Sequence, residues 1–119
     1  IPSFGSAHNP VDITAQVLAD TKPFREVLTT VADDPHVDCV VLMLATNVEP
    51  GALEIAHVVV ELKSSLRVPV AVCRMATDDL APNAMKLYRE NHIPIYPSPD
   101  RLIRSLHYVN LYRELNGIH

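Results

Sequence analysis

The chain has 119 residues, a formal net charge of −4, 48% hydrophobic residues and 20% charged residues. That composition excludes a disordered tract, and an acidic chain without Trp offers neither a basic face nor a stacking platform for nucleic acid. No apolar run approaches the roughly 20 residues a membrane helix needs, so we expect one domain, 1–119, with no membrane partner.

The first residue is Ile1 rather than Met, and no signal-peptide pattern follows; this reads as a fragment of a larger multidomain protein. Cys39 and Cys73 each lie inside an apolar run. Two buried free thiols in a reducing, cytoplasmic setting are the simple reading, and their isolation argues against a metal site.

A short extended piece, Val11 to Ile13, precedes the first helix. Phe24, Val27, Leu28 and Val31 keep the spacing of one helix face, with Thr21 as cap and Pro23 in the first turn. Val37 to Leu44 is a continuous apolar run, as expected of a strand covered on both faces. Pro50 to Leu66 reads as a helix with Leu53, Ala56, Val59 and Val60 inward. Val68 to Val72, continuing into Cys73, reads as a second such strand. Ala81 to Asn91 carries Ala84, Leu87 and Tyr88 at helical spacing. Ile93 to Tyr96 is a third, shorter strand. Ser98-Pro99-Asp100 opens the last helix, which runs to about Leu115 with Leu102, Ile103, Leu106 and Val109 on one side; Asn116-Gly117 ends it.

This alternation predicts an α/β fold. We expect an open parallel sheet of about four strands with helices on both faces, a flavodoxin-like or Rossmann-like three-layer arrangement. Ligands of such sheets bind beyond the carboxyl ends of the strands. Four segments qualify: Asn9 to Thr14, Ala45 to Gly51, Met75 to Asp79 and Tyr96 to Asp100.

Ala45 to Gly51 joins a strand to a long helix. Its exposed N–H groups and positive dipole end suit an anion, and Thr46 and Asn47 add donors. The same residues also serve as plain helix caps. Thr77, Asp78 and Asp79 are ordinary helix-start residues, and two adjacent carboxylates repel phosphate. None of the six histidines has a partner in a recognisable catalytic pattern, so each reads as a surface or packing residue. Gly-rich dinucleotide and phosphate loops are absent, as are a nucleophile elbow and a zinc-protease motif. No catalytic residue is assigned.

Three ordered stretches carry a family resemblance. Asn9-Pro10-Val11-Asp12-Ile13, Asp34-Pro35-His36-Val37-Asp38 and Ile93-Pro94-Ile95-Tyr96-Pro97-Ser98-Pro99-Asp100-Arg101 resemble motifs of the C-terminal ligase domain of ADP-forming acyl-CoA synthetases. This domain is similar to one in succinyl-CoA synthetase, and the resemblance extends from Asn9 to Arg113. It implies an acid–CoA ligase that interconverts acyl-CoA, ADP and phosphate with the free acid, ATP and CoA. The resemblance further implies that this piece helps form the acyl and phosphohistidine site. CoA-binding, histidine-bearing and ATP-grasp domains of the same enzyme are then its partners. CoA, ATP/ADP and Mg belong to the whole enzyme, with no cofactor or metal held by this domain alone. Asn9 and Asp12 fall on the shared motif, and Thr46, Asn47 and Gly51 fall where a helix start faces phosphate. All five are phosphate- or acyl-binding candidates; Asn9 and Asp12 also suit a plain turn.

Two departures stand out. The Ala45–Gly51 segment is poor in glycine where the succinyl enzyme is rich, and His8 replaces a glycine. They keep open an alternative: a catalytically inactive, synthetase-like regulatory module of the kind found beside some protein lysine acetyltransferase domains. A flavodoxin-like interaction domain of unrelated function is the third reading. Apolar residues on the outsides of the first and last helices are expected to dock against further domains.

Overall fold

The structure, a computed structural model, describes residues 8–12, 20–45 and 48–117. Four α-helices and three strands alternate: α1 (Thr21–Asp33), β1 (Val40–Leu44), α2 (Gly51–Leu62), β2 (Val70–Arg74), α3 (Pro82–Glu90), β3 (Ile95–Tyr96) and α4 (Pro99–Leu115). A 3₁₀ turn, Asp78–Leu80, precedes α3. All pairing in the sheet is parallel, in the order β1-β2-β3. The register sets Val40 beside Val70 and Leu44 beside Arg74, with Val72 beside Ile95.

Parity along β2 separates the two faces, because successive side chains in a strand point oppositely. Val70 and Val72 face the larger core, which also holds Phe24 and Leu28 of α1, Ile55 and Val59 of α2, and Met85 and Tyr88 of α3. Ala71 and Cys73 face the other way, onto Leu102 of α4. Three helices therefore cover one face and one helix covers the other. β2 is buried at every position, which accounts for its lack of polar alternation.

Among the described residues the sheet has three strands, where about four were expected. Asp12 makes an isolated bridge, and no further strand joins the sheet among the described residues. β1 begins at Val40, not Val37, because the preceding backbone is used elsewhere. Val37 N–H bonds to Asp34 O, and Arg67 Nη2 donates to the carbonyls of Asp34 and Val37 at 2.5 and 2.7 Å. β3 is likewise reduced to Ile95 and Tyr96.

Helix boundaries follow local chemistry. The cap of α1 is Asp20, whose carboxylate accepts from Lys22 N–H at 3.0 Å, and Thr21 is the first helical residue. α2 stops at Leu62, where Ser65 turns back: its N–H and hydroxyl both donate to Leu62 O. The buried side of α2 is Ala52, Ile55, Ala56, Val58 and Val59, so its inward face is rotated away from Leu53.

α3 closes with a doubly bonded cap. Ile93 N–H reaches Tyr88 O and His92 N–H reaches Arg89 O, the paired bonds of a Schellman ending. His92 sits there in the left-handed region, at φ 58, where glycine is the usual residue.

α4 is capped by Ser98, which accepts from Arg101 N–H, with Pro99 in the first turn. Only Leu102 of this helix is buried. Ile103 and Val109, expected to face inward, are 59% and 57% exposed. The sheet on this side is narrow, so α4 packs through its first turns and then passes beyond β3. On α1, by contrast, the large apolar residues turn toward the core, so the outer apolar surface belongs to α4 and not to both terminal helices.

Candidate functional site

The carboxyl ends of the three strands open onto one edge, where the links to α2, α3 and α4 leave the sheet. Of the sequence-derived site residues, Gly51 lies here as the first residue of α2, partly buried. Thr46 and Asn47 fall outside the described residues. Asn9 and Asp12 are exposed, in a segment separated from α1 by residues that also fall outside the description. Pro10 and Pro50 each follow a cis peptide bond.

The start of α2 has a local character that sequence spacing does not show. Its cap is Pro50, which supplies no side-chain hydrogen bond, and Glu54 lies in the first turn. Ala52 N–H is already bonded to Val48 O at 2.9 Å. A carboxylate at this position favours the helix dipole and competes with an outside anion.

Glu49, just before that start, reaches across to α3. Its Oε1 accepts from the backbone N–H groups of Asn83 at 2.6 Å and Ala84 at 3.0 Å, and its Oε2 from Asn83 Nδ2 at 2.9 Å. α3 has no side-chain cap from its own residue Ala81, so Glu49 takes that role from another element. Partial burial pushes the Glu49 carboxyl up, but the bonds from Asn83 and Ala84, with the Arg74 charge, outweigh it and hold the group below its ordinary value.

Arg74 is the site residue that periodicity missed. It ends β2 and is 2% exposed, the buried charged residue of the described structure. By strand parity it shares the face of Val70 and Val72, the side covered by α3. The available signal was an arginine ending an unbroken buried-strand run. Arg74 lines a cleft of about 260 Å³ with Arg89 and Asp78, which are ion-paired, and with Ile93, Ile95 and Pro97. The Tyr88 hydroxyl, on a fully buried ring, has no hydrogen-bond partner among the described residues. Burial drives its pKa strongly upward, opposed by the Arg74 charge.

Asp78 thus does more than start a helix: it neutralises Arg89. A second, more open groove runs along α4 past Tyr96, Arg101, Arg104 and Tyr108. Among the described residues, no three His, Cys, Asp or Glu lie close enough to hold a metal ion. No described helix is long and apolar enough to cross a membrane. Both cysteines are free; Cys73 is buried, whereas Cys39 is only half-buried.

The chain is similar to two curated proteins. It is 30% identical over 107 residues to "Acetate--CoA ligase [ADP-forming] I subunit alpha" of Pyrococcus furiosus, covering 89% of this chain and 23% of that protein. It is 29% identical over 106 residues to "4-hydroxybutyrate--CoA ligase [ADP-forming]" of Nitrosopumilus maritimus, covering 89% of this chain and 15% of that protein. The chain therefore spans less than a quarter of the length of the curated relatives it matches. No family model matches it, and no solved structure matches it.

Proposed function

We propose that this chain, a CoA-ligase-like domain and a partial homologue of ADP-forming acyl-CoA ligases, is the part of such an enzyme that helps form the acyl and phosphohistidine site. The observation that carries this reading is the similarity to two ADP-forming ligases over 89% of the chain. The parallel sheet, with its strand ends gathered on one edge, supports this reading, because open α/β sheets bind ligands beyond the carboxyl ends of their strands.

In this reading the parent enzyme exchanges acyl-CoA, ADP and phosphate for the free acid, ATP and CoA. A histidine on another domain carries the phosphoryl group. CoA-binding and ATP-grasp domains hold CoA, ATP or ADP, and Mg. The present domain contributes oriented dipoles and polar groups where charge develops on the transferred group. Gly51 offers the start of α2, and Asn9 and Asp12 offer a turn in the segment ahead of α1. Thr46 and Asn47 are assigned to the same role. The exposed apolar row Tyr108, Leu111, Tyr112 and Leu115 repeats at i, i+3, i+4 and i+7 on α4. It is assigned to contact with the remainder of the parent enzyme.

The test uses the full-length protein that contains this chain. ATP consumption that depends on both a carboxylic acid and CoA, together with an acid-labile phosphoenzyme, is the expected result. If neither appears with short-chain or aromatic acids, the ligase reading fails. The same outcome favours the second reading, a synthetase-like regulatory module without catalysis. That reading has its own support: the start of α2 carries Glu54 and a proline cap where a phosphate-facing helix would gain from glycine.

A further inference from the structure

Val48, Glu49 and Pro50 lead the chain into α2. Val48 is 50% exposed and Pro50 is exposed, so apolar packing holds these two positions loosely, whereas Glu49 is half-buried. The first-turn bonds of α2 end on the residues that flank Glu49. Ala52 N–H donates to Val48 O at 2.9 Å, and Glu54 N–H donates to Pro50 O at 3.1 Å. Whatever holds Glu49 therefore holds the start of α2. That anchor is α3, through the bonds from Asn83 and Ala84 to the carboxylate. Donors on both carboxylate oxygens fix its plane as well as its place. α3 is firmly seated: Ala84, Met85 and Tyr88 are fully enclosed, and Asp78, in the turn ahead of the helix, is ion-paired with Arg89 in its last turn. The same bonds aim the charge of Glu49 at the first N–H groups of α3. A carboxylate two residues ahead of a helix start would otherwise oppose an anion there.

We propose that Glu49 is a positioning residue: anchored on α3, it sets the place of the start of α2 on the carboxyl edge of the sheet. Its part in the reaction rests on the ligase reading, in which that helix start faces the transferred phosphoryl group. Glu49 does not touch that group; it acts through Gly51 and the first turn of α2. Group transfer responds steeply to such placement, since a shift of about 1 Å costs on the order of a hundredfold in rate. A cap for α3 alone needs only a polar side chain at position 81, the usual place for one, where this chain has Ala81. Here the carboxylate comes from another element, so the starts of α2 and α3 move as one.

The test compares the full-length protein that contains this chain with its Glu49→Gln variant and with Ile55→Val, which lowers stability from within the core of α2. Hydrogen exchange followed by mass spectrometry reads the first turns of α2 and α3. In Glu49→Gln, exchange should quicken about fivefold or more in both turns. Faster exchange confined to α3 makes Glu49 a cap only and overturns the proposal. The second readout is the acid-labile phosphoenzyme. Its formation should slow about tenfold or more in Glu49→Gln, with KM for CoA and for the nucleotide unchanged within about twofold, since other domains hold both. Ile55→Val should form it at the parental rate, which separates position from stability. An equal loss in Ile55→Val overturns the proposal. So does an unchanged or faster rate in Glu49→Gln, the faster rate being what removal of a negative charge near an anion gives by itself. If the unaltered protein forms no phosphoenzyme, the ligase reading fails, and exchange at the start of α2 still decides what Glu49 holds.

Discussion

Glu49 and Asn83, 34 residues apart, hold the beginnings of two helices together: the Glu49 carboxylate accepts both the backbone N–H and the side-chain amide of Asn83. The link before α2 thereby becomes the cap of α3. This ties the carboxyl edge of β1 to that of β2, the edge on which the candidate site lies.

Glu49→Gln should lower the thermal midpoint by roughly 3–6 °C at pH 7, since a neutral amide accepts more weakly and turns a donor toward donors. The pH dependence has a definite sign. The Glu49 carboxyl is held below its ordinary value, so its contribution is present above the unfolded pKa of about 4.3 and is lost as pH falls through the folded value. The difference between parent and variant should therefore shrink below about pH 4. Thermal melts at several pH values check this; a difference that grows in acid would refute the cap.

His92→Gly should stabilise the chain by about 1 kcal/mol. The residue adopts φ 58 inside a doubly bonded helix ending, and only the Cβ makes that conformation costly. Urea melts would show a higher midpoint with an unchanged slope. A lower midpoint would mean that the imidazole makes a contact worth more than the strain.

Ile55→Ala and Leu53→Ala distinguish two orientations of α2. Ile55 is enclosed, whereas Leu53 is only partly covered. Ile55→Ala should cost about 2–5 kcal/mol and Leu53→Ala under about 1.5 kcal/mol. Equal losses would restore the inward face that helical spacing alone implies.

The two thiols should react in sequence. Burial raises both above the ordinary cysteine value, so little thiolate exists at neutral pH. Cys39 is half-buried and Cys73 is enclosed. A disulfide reagent should label Cys39 slowly in the folded chain and Cys73 only in denaturant. Equal native rates at both positions would contradict the packing of Cys73 against α4.

The sequence by itself determined the alternation of helices and strands, the parallel sheet and the caps at both ends of α4. Those features depend on period, apolar runs and residues adjacent in the chain, such as Ser98 before Pro99. It placed Gly51 at a helix start for the same reason. Tertiary structure decided which way each helix turns, because the inward face of α2 depends on where β2 and α3 lie. It also ended the packing of α4 after its first turns, since the three strands among the described residues do not reach Ile103 and Val109. The Glu49–Asn83 cap and the enclosure of Arg74 belong to this second class. Both join residues far apart in sequence, and local periodicity carries no information about which distant backbone donors a carboxylate will meet or which strand end a helix will cover.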